Sequence, residues 1–262
     1  MRTVQALDRG LRILEFLSAR DQPVGVTELA QKLKVDKSTA HRLLGTLLER
    51  KFVKQDEHRR YHLSYKPIQI GILQLNRIEL RVRARPFLGD LVARTGETAH
   101  LAMRIQDRVI YVDREESPNM VTVATHVGGE APPHCTATGK ALMAFLPPAE
   151  QDRVLRVLPL ERYTPRTMTD LYVLRNHLQD VRQRGYATDD EERFLGVRCI
   201  AAPVRDYRGQ VVASIGISGP AHRLTLEHLQ NLHPIVVEIA AALSKANGYL
   251  EPATVPAGGN RR

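Results

Sequence analysis

Residues 37–50, with the sequence KSTAHRLLGTLLER, carry the clearest periodicity in this chain. One side of a helix built from them is apolar and contains Ala40, Leu43, Leu44, Leu47 and Leu48, which recur at intervals of three and four residues. The opposite side is polar and basic and contains Lys37, Ser38, Thr39, His41, Arg42 and Thr46. The pattern predicts a helix that packs its apolar side on other elements and keeps the polar side in solvent.

Two further helices are predicted before this one. A stripe of apolar residues within residues 3–20 predicts the first, with Val4, Leu7, Leu11, Leu14 and Leu17 on one side. After Pro23 and Gly25, Thr27 can cap a short second helix over residues 28–33, in which Leu29, Ala30 and Leu33 face inward. Residues 35–36 make a brief turn, and Asp36 or Ser38 can cap the third helix. Two short helices joined by a tight turn, the second basic at its N-terminal end, predict a helix-turn-helix.

A hairpin and a concentration of positive charge complete the N-terminal module. Two short strand-like stretches, FVKQ and RYHLS, flank the polar turn DEHR and predict a β-hairpin wing with Arg59 and Arg60 near its tip. Residues 1–66 hold 14 Lys/Arg against 8 Asp/Glu, a net charge of +6 within a total of +9, which favours a polyanionic partner. We predict a winged helix-turn-helix over residues 1–66 that binds double-stranded operator DNA through the polar side of the third helix and through both arginines. The alternative is a solvated helix pair that binds no DNA.

The rest of the chain predicts a linker helix and a second domain. Residues 67–85 predict an amphipathic helix that pairs with its counterpart in a second subunit, or alternatively serves as an internal core helix. Pro86 then opens a new helix that Gly96 closes. Strands are predicted over residues 98–105, 109–115, 120–129, 196–204 and 211–218, and helices over residues 138–146, 148–157, 170–184 and 225–247. This order indicates an antiparallel α+β domain over residues 86–248, and the Pro-, Gly- and Ala-rich residues 249–262 indicate a disordered tail.

Several classes of protein are disfavoured by the sequence. No apolar run is long enough to cross a bilayer and the N-terminus has no signal-peptide core, so we expect a cytoplasmic protein without a membrane partner. The two cysteines fit a reducing compartment, and no ligand spacing predicts a metal or another cofactor. The pair Gly139–Lys140 does not form a phosphate-binding loop, because His134 replaces the first glycine and Ala141 replaces the metal-binding hydroxyl. The pair instead marks a helix start, which favours an anion.

Along nearly its whole length the chain resembles the IclR-type transcriptional regulators. The resemblance is carried by ELAQKLKVDKSTAHRLLGTLLERKFV, HCTATGKALMAFLP and GYATDDEERFLGVRCIAAPVRDYRGQVVASIGISGPAHR. It implies a winged helix-turn-helix, a linker helix and a GAF-like domain that binds a small organic acid or aromatic effector. Carried over by position, the effector site consists of Met120, Val123, Ala131, Ala137, Thr138, Asp189, Val197, Cys199, Gly216 and Ser218.

Two positions depart from the family pattern. Lys51 stands where a glycine is common, which implies a changed entry into the wing. Gly216 stands where a serine is common, which implies a larger or less polar effector at that point. The resemblance also implies a homodimer with a further pairing of the C-terminal domains.

Each candidate in the second domain has a purely structural alternative. Thr136 and Thr138 can simply cap a helix, or can also present N–H groups to a carboxylate, while the long stem of Lys140 can point to solvent. Asp189 can accept a hydrogen bond from an effector hydroxyl, whereas Asp190, Glu191 and Glu192 are interpreted as a solvated loop. Cys199 is a packed thiol unless a base lies beside it, the candidates being His100, His126 and His134.

We therefore predict a homo-oligomeric transcriptional regulator, a homodimer or a dimer of dimers, rather than an enzyme. The alternative is a small-molecule enzyme of the thiol-hydrolase kind, fused to a helical module.

Overall fold

The computed structural model describes residues 3–75, 78–105, 108–119 and 125–250. Within these ranges the chain forms two units that divide after Ile78, each with its own apolar core. None of the helices in these ranges combines the length and the apolarity needed to cross a membrane. Of the tail predicted over residues 249–262, residues 251–262 lie outside the described ranges.

The described part of the N-terminal unit contains helices around a small hairpin. Its elements are α1 (Gln5–Ser18), α2 (Val26–Leu33), α3 (Lys37–Glu49), β1 (Val53–Gln55), β2 (Tyr61–Leu63) and α4 (Tyr65–Leu75). β1 pairs antiparallel with β2, and Val24 forms a further bridge with Tyr61. Ile13 of α1, Leu29 of α2 and Leu44 of α3 are fully buried together in the core. This arrangement is the predicted winged helix-turn-helix.

The turn between α2 and α3 is fixed by a cap. Lys34 ends α2 in the left-handed conformation with φ 55°, and Asp36 caps α3 by accepting the Thr39 N–H at 2.8 Å. The Ser38 hydroxyl also donates to Asp36, and hydrogen bonds from Ser38 and then Thr39 hold the pKa of Asp36 well below its usual range. Asp36 is thus the cap, rather than Ser38. The cap predicted at Thr27 is wrong, because α2 begins at Val26 and Thr27 already lies in its first turn.

The apolar stripe predicted for α1 is wrong in its N-terminal half. Ile13 and Leu17 are buried, whereas Val4, Leu7 and Leu11 are 68%, 63% and 51% exposed. Ile13 and Leu17 are four residues apart and share the face that packs against α2, α3 and β2. The helix is therefore rotated relative to the predicted stripe, and its N-terminal end carries an exposed apolar strip.

The C-terminal unit is built on a six-stranded antiparallel sheet in the order β5-β4-β3-β8-β7-β6. The strands are β3 (Thr98–Ile105), β4 (Arg108–Glu115), β5 (Glu130–Ala131), β6 (Ala187–Asp190), β7 (Val197–Arg205) and β8 (Val211–Pro220). The helices are α5 (Glu79–Thr95), α6 (Ala137–Ala144), α7 (Pro148–Val157), α8 (Leu171–Arg184) and α9 (Leu226–Ala246). α6, α7 and α8 share an apolar cluster with β6 and β7, while α5 and α9 pack on each other and on the sheet. The predicted α+β fold is confirmed.

The helix predicted over residues 67–85 is wrong in its bounds, as is the helix start at Pro86. α4 ends at Leu75, Ile78 is not helical, and α5 runs from Glu79 through Pro86. A proline inside a helix removes one main-chain hydrogen bond. α5 continues through it because one side of the helix is buried along its length, at Leu80, Ala84, Leu88 and Leu91. Gly96 follows the helix with φ 70°, as predicted.

Two strand assignments also differ from the prediction. The sequence does not predict β6, because Asp189 and Asp190 have low strand propensity, and pairing with β7 overrides that preference. Of the strand predicted over residues 120–129, residues 125–129 are not a strand and residues 120–124 lie outside the described ranges.

Candidate functional site

The polar side of α3 forms the first candidate surface. Lys37, Ser38, His41, Arg42 and Thr46 are exposed and Thr39 is half-buried. The hydroxyls of Ser38 and Thr39 donate to Asp36, and the hydroxyl of Thr46 donates to the Arg42 carbonyl oxygen at 3.2 Å. These three hydroxyls therefore serve the helix itself. The side chains of Lys37, His41 and Arg42 are left for a ligand.

The wing is ordered by the carboxylate of Asp56. Its Oδ1 atom accepts the N–H groups of His58 at 2.9 Å and Arg60 at 2.8 Å, and its Oδ2 atom pairs with Arg60 Nε at 3.1 Å. Arg59 lies at the tip in the left-handed conformation, with φ 59°, and is exposed. The charge of Arg60 is thus neutralised by Asp56, whereas the side chain of Arg59 stands exposed at the tip.

Lys51 joins α3 to the wing with φ 62°. Residues other than glycine adopt this conformation at a cost, whereas glycine adopts it freely. The turn is nevertheless formed, because the Lys51 N–H donates to the Leu48 carbonyl oxygen and the Phe52 N–H to that of Leu47, both at 2.9 Å. The departure at position 51 therefore keeps a glycine-type turn at the expense of local strain.

Seven of the ten predicted effector residues line one cavity of about 30 Å³ in the C-terminal unit. They are Ala137, Thr138, Asp189, Val197, Cys199, Gly216 and Ser218. We call this space the inner cavity. Ala131 instead lines a neighbouring space of about 130 Å³, the outer cavity, which shares five wall residues with the inner one: Tyr111, Thr125, Thr136, Arg193 and Phe194. Met120 and Val123 lie outside the described residues.

Sheet register brings the inner-cavity residues together. Asp189 of β6 is paired with Cys199 of β7, and Cys199 is paired with Ser218 of β8. Directly paired residues on neighbouring strands point to the same side of a sheet, so these three form one row. α6 packs against β7 and β8 and places Thr138, in its first turn, at the same cavity. A volume of about 30 Å³ holds roughly one water molecule, so an effector must widen this space.

The polar groups of the inner cavity are only partly satisfied. His100 Nε2 lies 2.5 Å from Ser218 Oγ, and burial lowers the pKa of His100 to about 3, with Arg114 adding to the effect. The imidazole is therefore neutral. Burial raises the pKa of Tyr111 far above its usual value. Thr138 Oγ1 is buried and makes no hydrogen bond of standard geometry within the described residues, although the Tyr111 hydroxyl lies near enough for Thr138 to lower the Tyr111 pKa.

Asp189 and Cys199 influence each other at the cavity floor. Asp189 Oδ1 accepts the Glu192 N–H at 2.7 Å. Burial raises the pKa of Asp189 to about 7, against the lowering effect of Lys140. Burial, and next the charge of Asp189, raise the pKa of the Cys199 thiol well above its usual value. The cysteine is therefore held as a thiol rather than as a nucleophilic thiolate.

Comparison with known proteins finds a family match in each of the two units. The chain matches the IclR helix-turn-helix domain over residues 6–57 and the bacterial transcriptional regulator IclR C-terminal domain over residues 72–245. The chain belongs to the IclR family.

This IclR-family chain is similar to transcriptional regulators, and each match covers most of both chains. The HTH-type transcriptional regulator BhcR of Paracoccus denitrificans is 37% identical over 242 residues, which cover 92% of this chain and 86% of BhcR. The crystal structure of Thermotoga maritima IclR has a TM-score of 0.78 at 33% identity and covers 94% of this chain and 100% of that one. An IclR homologue from Microbacterium hydrocarbonoxydans, crystallised with 4-hydroxybenzoate, shares the fold with a TM-score of 0.77 at 24% identity, covering 93% of this chain and 98% of that one. The chain is thus a helix-turn-helix transcriptional regulator with a C-terminal effector domain.

The structure of this IclR-family regulator corrects the expectation for Lys140. Its side chain is fully buried rather than directed to solvent, and its Nζ pairs with Glu192 Oε1. Glu192 is buried as well, and the hydroxyl of Thr167 donates to its carbonyl oxygen at 2.6 Å. The Gly-Lys pair that resembles a phosphate loop thus serves the fold, because Lys140 anchors the acidic run to α6.

The solvated loop predicted for Asp190, Glu191 and Glu192 is also wrong. Asp190 and Glu191 are half-buried and both pair with Arg198, at 2.6 and 3.3 Å. The segment after them, residues 193–196, is held at both ends. Glu192 is fixed as described, and the Gly196 carbonyl oxygen accepts the Ala221 N–H at 2.7 Å. Sequence reasoning gave no role to Arg193 and Phe194, which lie in this segment and border both cavities.

Two glycines near the site are explained by close packing. A Cβ atom at Gly139 would lie 2.5 Å from Pro133 Cα, so only glycine lets the loop before α6 cross the helix there. A Cβ atom at Gly216 would overlap the Ile200 carbonyl oxygen of β7. The missing side chain of Gly216 makes room for the neighbouring strand, and Gly216 still borders the inner cavity. The larger or less polar effector implied at this position stays a prediction. Thr136 caps α6 by accepting the Gly139 N–H at 3.2 Å, which confirms one of the two candidate caps.

Proposed function

We propose that this regulator binds operator DNA through α3 and the wing, and that a small organic acid bound at the inner cavity changes its DNA affinity. The observation that carries the effector half is the convergence of seven predicted residues, Thr138 among them, on one cavity at the start of α6. For DNA binding to respond, the effector must bind the DNA-competent and DNA-incompetent states with different affinities.

The DNA-binding half consists of residues 1–66. Its groove contacts come from Lys37, His41 and Arg42, and a phosphate contact comes from Arg59 at the wing tip. Ser38, Thr39, Thr46 and Arg60 support these contacts through the bonds described above. Arg42→Ala should cost about 1–3 kcal/mol at the operator if Arg42 reads a base edge. Arg59→Ala should instead weaken binding to all DNA sequences alike and reduce the salt dependence. An unchanged operator affinity in Arg42→Ala, measured by fluorescence anisotropy, would remove α3 as the reading helix.

In solution we propose a homodimer that can pair again as a dimer of dimers. Val4 at the N-cap of α1, Leu7 and Leu11 within α1, and Ile68 and Ile72 of α4 are at least half exposed. Such apolar surface gains from burial. Two-fold pairing also suits DNA sites with repeated half-sites. The double variant Leu7→Glu/Leu11→Glu should have a lower molar mass than the wild type by light scattering, because the dimer dissociates. An unchanged molar mass would exclude Leu7 and Leu11 from the interface. The proposed site of action is the cytoplasm.

We propose that the effector domain, residues 86–248, binds its ligand without converting it. Cys199 is held as a thiol, and His100 is neutral and bonded to Ser218, so the pair required for a thiol hydrolase is not supported. His134 Nε2 is bonded to the Glu161 carbonyl oxygen at 2.9 Å. The 4-hydroxybenzoate crystallised with the Microbacterium homologue is a small organic acid, the effector class proposed here.

The deciding experiment combines the full-length protein with its own upstream DNA. Anisotropy should show a complex whose affinity changes when an organic acid is added, and the same acid should raise the thermal midpoint of the protein because it binds the folded state. Absence of a DNA complex, together with turnover of a thioester or ester that is lost in Cys199→Ala, would favour the enzyme instead.

A further inference from the structure

Arg193 lies in the wall shared by the inner and outer cavities. It borders both spaces together with Thr136 and Phe194. Its guanidinium carbon lies 3.8 Å from the centre of the Tyr163 ring and 5.0 Å from the centre of the Phe194 ring. Stacking of this kind orients the guanidinium plane and leaves the N–H donors at its edge available for another partner.

The guanidinium of Arg193 lacks the carboxylate partner that the neighbouring Lys140 and Arg198 each have within the described residues. Lys140 is paired with Glu192, and Arg198 is paired with the two preceding acids of the run. Within the described ranges, no carboxylate lies at ion-pair distance from Arg193. Asp190, Glu191 and Glu192 are engaged with other cations, so within the described residues the Arg193 guanidinium remains available to an anionic ligand.

The charge of Arg193 also acts on the cavity interior. It lowers the pKa of Tyr111, which borders both cavities, and those of Cys135 and Tyr163, in each case against the larger raising effect of burial. The start of α6 borders the same inner cavity through Ala137 and Thr138, both of which are buried. A helix start favours negative charge. Two independent features therefore favour an anion at one place.

We infer that Arg193 is the cationic partner of the effector's carboxylate, which binds between the guanidinium and the start of α6. The inference rests on the proposed function and adds the charged side chain that selects an acid. The rings of Tyr111, His100 and Phe194 border the same space, which fits a flat, aromatic acid. A hydroxyl at the far end of such an acid meets the row formed by Asp189, Cys199 and Ser218.

The test compares acids with their uncharged amides on the full-length protein. Calorimetry is run with benzoate, 4-hydroxybenzoate, benzamide and 4-hydroxybenzamide, and with inorganic phosphate as a plain anion. The variants are Arg193→Gln, Arg193→Lys and the matched control Arg166→Gln. Arg166 is a nearby arginine that is already paired with Asp190 and borders neither cavity. Circular dichroism and operator binding without ligand check that each variant is folded.

The wild-type protein should bind at least one of the two acids more tightly than its amide and more tightly than phosphate. Arg193→Gln should weaken acid binding by about ten- to a hundredfold and leave the weaker amide binding unchanged, since a hydrogen-bonded charge is lost. Arg193→Lys should recover part of the loss, and Arg166→Gln should match the wild type. Three results would overturn the role of Arg193 while leaving the proposed function intact. They are an equal loss of affinity for acid and amide in Arg193→Gln, full acid affinity in that variant, or phosphate binding to the wild type as tight as acid binding. A wild-type protein that binds neither acid would overturn the effector class in the proposed function as well.

Discussion

Replacing Lys140 by methionine is expected to destabilise the C-terminal unit by about 3 kcal/mol. Methionine keeps most of the apolar length of the lysine stem, so the main loss is the partner of Glu192. Removing one member of a buried ion pair typically costs about 3–5 kcal/mol, because the other charge remains buried. The side chain of Glu192 is 9% exposed and keeps a contact with the Asp190 N–H at 3.4 Å, which places the cost at the lower end of that range.

Urea denaturation of the full-length protein measures this cost. The chain has no tryptophan, so far-UV circular dichroism and tyrosine fluorescence report the transitions. The exposed control Lys54→Met should stay within about 0.5 kcal/mol of the wild type. The double variant Lys140→Met/Glu192→Gln removes both charges and should recover about 2 kcal/mol relative to the single variant. A loss below about 1 kcal/mol in Lys140→Met, or a double variant that is no more stable than the single one, would refute the buried pair.

Three further predictions follow from particular residues. Burial raises the pKa of Asp189 from its ordinary value of 3.8 to about 7 in the folded chain, so the folded state retains a proton that the unfolded state loses. Stability should therefore fall as pH rises from about 4 through about 7. Thermal midpoints at pH 5 and pH 8 should show a smaller difference in Asp189→Asn, and an unchanged difference would contradict the assignment. Gly139→Ala should lower the free energy of unfolding by about 1–3 kcal/mol, because its Cβ would lie 2.5 Å from Pro133 Cα. Gly45→Ala lies in open space on α3 and should raise the free energy of unfolding by up to about 1 kcal/mol. Urea titration measures both changes. Lys51→Gly should raise stability by about 0.5–1 kcal/mol, because glycine adopts the φ of 62° without strain. The control Lys54→Gly, within β1, should lower stability. A lower thermal midpoint in Lys51→Gly than in Lys54→Gly would show that Lys51 is unstrained.

Local patterns predicted the N-terminal unit well because its contacts are close in sequence. The period of α3 and the cap at Asp36 depend on neighbours three or four residues away, and both appear in the structure. The face of α1 was not predictable in the same way. Its sequence offers Leu7 and Leu11 as readily as Ile13 and Leu17, and only packing against the other elements decides which pair is buried.

The residues of the candidate effector site were predicted only through the resemblance. Asp189, Cys199 and Ser218 meet because the register of β6, β7 and β8 brings them together, and Thr138 joins them because α6 packs on β7 and β8. No local periodicity contains either relation. Lys140 and Arg193 were missed for the same reason. The burial of Lys140 depends on an acid 52 residues away, and the position of Arg193 depends on the ring of Tyr163.

Residues 193–196 are anchored at both ends, so the side chains between the anchors can change without unfolding the domain. Glu192 and Gly196 hold the two ends of this segment through the ion pair with Lys140 and the bond to Ala221. Between them, Phe194 and Leu195 are 45% and 65% exposed, so substitutions there disturb little of the core. If the proposed function holds, a lineage with this architecture can therefore exchange residues of this segment, and with them the metabolite to which it responds, while the rest of the domain stays under unchanged selection for folding.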